Sequence, residues 1–426
     1  MRRGAALVLA LFVLFATIDC RRGAATLGRD RSASLRPADA ARGREVVVKF
    51  ECTRCHAIEG VAAPAKDKQC TGCHEDVARG RVQGTPAQLA RWQPKVAELG
   101  DVPSLLAVGS RFERDWIRRF LLQPYDLRPA LAPTMPRLPL TEEHAADVAA
   151  FLSDASSELS LGSSVRTKSP LEGSGADDTA SVLAGSDAAR GRELMSVRGC
   201  GLCHRMSGTR PLAGALLPAQ VAADMQRAVR LAPDLRYTRD RWRAAQLVRW
   251  LRDPPSVKRD TLMPNMGLDE SEAKSVALYV LTTTLGPTED PPASARLAIL
   301  DRAVTYDEVA SRVFRKTCWH CHGEPDFERG DGGPGNSGGF GFKGRRLNLS
   351  DYESTFAGYV DDAGRRSSLF APVADGTPYV VAAMLARQSE ERGQRGAMRG
   401  MPLGLPSASP EDIQLVETWI SQGRRR

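Results

Sequence analysis

The pentapeptide C-x-x-C-H occurs four times in this chain: "CTRCH" at Cys52 to His56, "CTGCH" at Cys70 to His74, "CGLCH" at Cys200 to His204 and "CWHCH" at Cys318 to His322. Together the four copies use eight of the nine cysteines. No other feature constrains the fold as tightly, because two thiols and an imidazole at this spacing are what covalent haem attachment requires. The thiols add to the porphyrin vinyl groups and the imidazole takes one face of the iron. A disulfide or a thioredoxin-like redox pair needs no His after the second Cys. The first two copies carry one rival reading, since Cys52, Cys55, Cys70 and Cys73 also spell C-x2-C-x14-C-x2-C, close to a zinc ribbon. Zinc therefore stands as the alternative to a haem at Cys70 and Cys73.

A chain of 426 residues is long enough for about three domains. Aromatic side chains are sparse at 6 %, and buried porphyrins would supply apolar area that side chains otherwise provide. Residues 1–20, "MRRGAALVLALFVLFATIDC", place two arginines before an apolar run from Ala5 to Phe15, the pattern of an export signal. The run is short for a membrane span. Haem is attached outside the cytoplasm, so leader and motifs agree on a periplasmic location. Cys20 sits where the acylated cysteine of a lipoprotein would sit, although Asp19 occupies a position that usually holds a small residue. A lipid anchor to the membrane and an ordinary leader both remain open. The net charge of +8 reads as a solvated basic surface or as weak docking to an acidic redox partner. No basic stretch interleaves with aromatics as in a nucleic-acid module.

The seven residues "DAARGRE" occur at Asp39 to Glu45 and again at Asp187 to Glu193, each followed at the same distance by a C-x-x-C-H. The repeat is a unit with a grammar. A helical pattern (Ala38 to Phe50, Ala188 to Val197, Tyr306 to Arg315) leads into the motif. An irregular middle follows, then a Met-Pro (Met135, Met263, Met401), then an amphipathic helix with an N-cap signal at Thr141, Asp269 or Ser409. "RRFLLQP" ending at Pro124 matches "VRWLRDP" ending at Pro254. Cys52 to Met135 spans 83 residues against 63 from Cys200 to Met263, an excess that contains the whole "CTGCH" unit. Residues 156–187, rich in Ser, Gly and Asp, read as a flexible linker, and the Pro-rich 286–295 as a second. The predicted fold is all-α: domain 1 at 38–155 with the extra motif, domain 2 at 188–285 and domain 3 at 296–426.

This grammar resembles class I c-type cytochromes, over nearly everything outside leader and linkers. The third segment, with "LNLSDYES" and "MPLGLPSASPEDIQLVETWI", is similar to cytochrome c domains of large multidomain periplasmic proteins. The resemblance implies three tandem cytochrome c-type helical domains and four haem c groups on Cys52/Cys55, Cys70/Cys73, Cys200/Cys203 and Cys318/Cys321. It also implies His56, His74, His204 and His322 as proximal iron ligands. Met135, Met263 and Met401 are the distal choices, with rival thioethers at Met266 and Met398. It implies further that the first helix crosses the last at a Gly, so Gly43 and Gly191 would let Phe151 or Tyr279 pack close, unless the repeat is only a relic of duplication. In the third segment Ala310 is the nearest small residue.

His/Met pairs raise haem potential and fill both faces of the iron. The expected function is electron transfer between periplasmic or membrane redox partners, such as a respiratory complex. The alternative is a peroxidase-like enzyme with an open haem at His74. That haem has no Met-Pro of its own, and Ala78 stands where a His three or four residues on would ligate. His144 and His320 are the histidines left over; the first reads as a polar residue in a helix's first turn and the second as filler inside "CWHCH". An open face, His144, a ligand from elsewhere, or zinc instead of haem are the outcomes left for this site.

Overall fold

The computed structural model describes residues 36–96, 101–125, 127–129, 131, 135–160, 176–213, 223–288, 295–324, 333–394 and 396–426. The leader and Cys20 lie outside the described residues. The described chain is helical with little strand. Through the first segment run α1 (Ala40–Lys49), α2 (Cys70–Ala78), α3 (Pro86–Val96), α4 (Val108–Arg111), α5 (Arg114–Leu122) and α6 (Glu142–Ser160). The second holds α7 (Ala176–Val182), α8 (Ala188–Val197), α9 (Ala223–Leu231), α10 (Ala244–Arg252), α11 (Pro254–Val257) and α12 (Glu270–Thr282). The third holds α13 (Tyr306–Val309), α14 (Trp319–His322), α15 (Tyr352–Phe356), α16 (Tyr379–Glu391) and α17 (Pro410–Ser421). Two short antiparallel pairs, at Gly338–Gly339 with Phe342–Lys343 and at Tyr359–Val360 with Arg366–Ser367, complete the third segment.

Buried apolar side chains gather in three clusters, each drawing mainly on one segment. In the first two the backbone is the same device used twice. Asp39 and Asp187, the opening residue of each repeat, cap α1 and α8 by accepting from Arg42 N and from Ala189 and Arg190 N. A Cβ built on Gly43 would stand 2.1 Å from Asp147 O and 2.7 Å from Phe151 Cβ. One built on Gly191 would stand 2.0 Å from Ser275 O. Both glycines are therefore crossing points of first and last helix. At the second, the close approach is to the backbone of Ser275 and Val276 rather than to Tyr279. The same position of the last helix also receives the cap residue's N–H: Asp39 N donates to Asp147 Oδ1 at 2.8 Å, Asp187 N to Ser275 Oγ at 3.4 Å.

The expected caps of the last helices are present. Asp269 and Glu272 form a capping box, Ser409 accepts from Asp412 N, and Thr141 Oγ1 accepts from His144 N. Two expectations change. The stretch 156–187 is not a linker at its ends: α6 continues to Ser160, α7 covers 176–182, and Leu183 is buried in the second core. The third segment's leading helix continues beyond α13 as a π-helix from Ala310 to Cys318, with Ala310 fully buried.

First and second segments meet at a bridge made by matching positions of the two repeats. Pro103 to Pro124 matches Pro233 to Pro254 without a gap, which pairs Arg111 with Arg241 and Phe112 with Trp242. Phe112 and Trp242 form an antiparallel bridge: Glu113 N donates to Arg241 O and Arg243 N to Arg111 O, with the two rings 5.1 Å apart. An interface made by the same patch on both repeats is how identical copies close on one another. On another side the third segment docks on the first. Phe340 N donates to Glu51 Oε2 at 2.9 Å, the Arg54 guanidinium lies over the Phe340 ring, and Gly341 presses on Phe50 so closely that a Cβ would come within 2.4 Å of that ring.

Candidate functional site

The motifs at Cys52 and Cys200 fold identically. A residue in left-handed conformation, Glu51 or Gly199, turns the chain out of α1 or α8 into one 3₁₀ turn at Cys52–Arg54 or Cys200–Leu202. His56 N then donates to Cys52 O and His204 N to Cys200 O. Each imidazole is fixed from the far side: His56 Nδ1 lies 2.8 Å from Pro103 O, and His204 Nδ1 lies 2.9 Å from Pro233 O. A carbonyl can only accept, so Nδ1 carries the proton and Nε2 keeps its lone pair for a metal. The following residue closes the clasp, with Leu105 N on Ala57 O and Leu235 N on Arg205 O. Burial pushes both imidazoles below their usual pKa, toward the neutral form that ligates.

The other two motifs are helical. Cys70 to His74 opens α2, and Cys318 leads into α14. His322 is flanked by Gly335, where a Cβ would fall 1.9 Å from Nδ1, and that Nδ1 is buried with no hydrogen-bond partner among the described residues. The first two motifs touch. The Cys55 thiol is hydrogen-bonded with Cys70, which with burial pushes its pKa far up, and Thr71 Oγ1 donates to Cys55 O at 3.4 Å. Burial raises Cys52 to about 11 and Cys318 to about 12, and raises Cys200 and Cys203 as well. Among the described residues no group of three or more His, Cys, Asp or Glu is placed to hold a metal ion.

The loop methionines are half-buried, at Met135, Met263 and Met401. Met263 and its rival Met266 both pack on the second core, and Trp250 Nε1 donates to Met263 Sδ at 3.0 Å. Met401 N donates to Ala383 O. His144 is used locally: its Nδ1 accepts from Thr141 N, and its ring meets Phe50 edge-on at 5.6 Å. His320 instead faces His74 across the segments, with ring centroids 6.4 Å apart, and burial together with His320 lowers His74 to about 4.

Sequence reasoning missed several partners. Pro103 and Pro233 were legible in the ungapped match that ends at Pro124 and Pro254. Arg111 and Arg241, at 4 % and 7 % exposure, have buried Nε atoms with no partner among the described residues. Burial lowers both guanidinium pKa values, Arg241 to about 10. Arg241 acts on His204, and Arg111 already has Leu106 O and the Asp260 carboxylate as neighbours; a buried guanidinium with an unbonded Nε suits an anionic ligand group, as the carboxylates of a porphyrin are. The donor set and the unbonded Nε atoms of these two arginines therefore fit a haem. Comparisons with known proteins add nothing further: no family model, no curated protein and no solved structure matches this chain.

Proposed function

We propose that this protein is an exported tetrahaem c-type cytochrome, built as three tandem cytochrome c-type domains, that carries electrons between periplasmic or membrane redox partners. The observation that carries the reading is the clasp made twice: two thiols at one turn, then an imidazole whose Nδ1 is tied to a proline carbonyl and whose Nε2 is left to bind. A zinc ribbon has no use for that tie. In this reading Cys52/Cys55, Cys70/Cys73, Cys200/Cys203 and Cys318/Cys321 hold the macrocycles. His56, His74, His204 and His322 take one face of each iron, and Met135, Met263 and Met401 the other face of three. When bound, haem supplies one-electron chemistry. The chain's own part is to fix the imidazole tautomer, keep water from the thioether side through the packed loop and balance the propionates with Arg111 and Arg241. Three centres with both faces filled leave no room there for substrate, which favours electron carriage over catalysis.

The test is a count. Intact mass and a pyridine haemochrome assay on the matured protein should give four covalent haems, falling to three in Cys70→Ala/Cys73→Ala. Two haems plus one zinc in the unaltered protein would return the motifs at Cys52 and Cys70 to the ribbon, and no haem would overturn the reading.

A further inference from the structure

We infer that His74 and His320 are the two axial ligands of a single iron, the one whose macrocycle Cys70 and Cys73 hold, so that this centre is completed across two segments of the chain. The inference rests on the haem reading above and adds the ligand which that reading leaves open. Its ground is distance. An iron–imidazole bond of about 2 Å and about 1.1 Å from nitrogen to ring centre put the centroids of two trans imidazoles about 6.2 Å apart. The rings of His74 and His320 are 6.4 Å apart. A porphyrin already fills four positions of its iron, so two facing donors complete the set.

The pairing does not hang on one contact. The third segment is held on the first by Phe340 on Glu51 and Arg54, by Gly341 on Phe50 and by the Arg137–Glu390 ion pair at 3.5 Å. Glu51, Arg54 and Phe50 adjoin the turn that carries Cys55, and Cys55 touches Cys70. The same docking that seats Phe340 thus brings α14 over α2. Both imidazoles sit in the helical motifs rather than in the proline-tied clasps of His56 and His204. His144, the other unassigned imidazole, has its Nδ1 engaged in the cap of α6. His320 also precedes Cys321, so the ligand of one iron and the thioether anchor of the next are consecutive residues. This gives the two centres a short covalent connection.

The experiment uses the full matured chain. The unaltered protein should be low-spin at all four haems and take up no carbon monoxide when reduced. His320→Ala should show a high-spin ferric electron paramagnetic resonance signal from one haem in four and bind carbon monoxide at that one haem, and added imidazole should reverse both. His144→Ala should change neither. His320→Met keeps a sixth ligand, so it should stay low-spin while its near-infrared thioether band grows by about a third. Carbon monoxide uptake by the unaltered protein, a high-spin haem in His144→Ala, or an unchanged thioether band in His320→Met would overturn the pairing. So would four haems with a silent His320→Ala. Fewer than four haems in the unaltered protein would instead defeat the reading beneath it.

Discussion

At the scale of single residues, the atoms that matter most are those which leave a donor free. The proline carbonyls on His56 and His204 do this for nitrogen, and Trp250 does its counterpart for sulfur: an indole N–H on Met263 Sδ withdraws density from one lone pair and leaves the other. In the proposed centre, a thioether weakened in this way would favour the reduced iron. Trp250→Phe should therefore lower the potential of the centre in the second segment, on the order of 40 mV for the loss of about 1 kcal/mol of hydrogen bond. Protein-film voltammetry would resolve the shift, and no shift there would mean that Met263 is not a ligand, leaving Met266 the site. The motifs and their histidines were legible because their spacing is local chemistry. Trp250 was not, since nothing in "VRWLRDP" tells an indole that donates to sulfur from one that only fills a core. His144 keeps the role in a helix's first turn that its neighbourhood suggested, whereas His320, which read as filler, meets His74, because a cap within three residues is visible in sequence and a partner 246 residues away is not.

At the scale of elements, the crossing of first and last helix decides whether each repeat closes. Gly43 meets the backbone of α6 and Gly191 that of α12, and backbone cannot swing aside as a side chain can. Gly43→Ala should destabilise the first segment by about 3 kcal/mol despite Ala's better helix propensity, and Gly191→Ala the second by a similar amount. Ala41→Ser, exposed on the same helix, should stay within about 0.5 kcal/mol. Guanidinium denaturation followed by absorbance would compare them, and a neutral Gly43→Ala would show that the repeat is retained only by descent. Helices, caps and crossing glycines could be read ahead because each is written within one turn or one repeat. Gly109 could not: its missing side chain admits Leu152 and Ser153 of α6, and its counterpart in the second repeat is Arg239 and not a glycine. The stretch 156–187 misled for a related reason, since composition marks loops but cannot see Leu183 entering a core from one end.

At the scale of the whole molecule, the first segment is the hub. It bonds the second through Phe112 and Trp242 and the third through Glu51 and Phe340, so in space it stands between partners that both follow it in sequence. The proposed centres then run from Cys200 through Cys52 and Cys70 to Cys318, and under that proposal each seam between segments would be a step for an electron to cross. The first seam has an electrostatic lock. Asp101, with 8 % of its side chain exposed, accepts from Arg227 at 3.0 Å and from Arg230 at 2.7 Å, both on α9 of the second segment. Taking away both arginines leaves a buried carboxylate without compensation, whereas taking away the carboxylate leaves two cations that reach water. The costs should therefore be unequal: Arg227→Ala/Arg230→Ala should weaken the seam by about 3 kcal/mol, Asp101→Ala by about 1 kcal/mol. Hydrogen exchange across 101–122 and 223–252 would read the opening of the seam, and the double variant should expose both stretches faster than Asp101→Ala does. If Asp101→Ala opened the seam as far as the double variant, the lock would be an ordinary surface pair, and the packing of Phe112 on Trp242 would carry the junction alone.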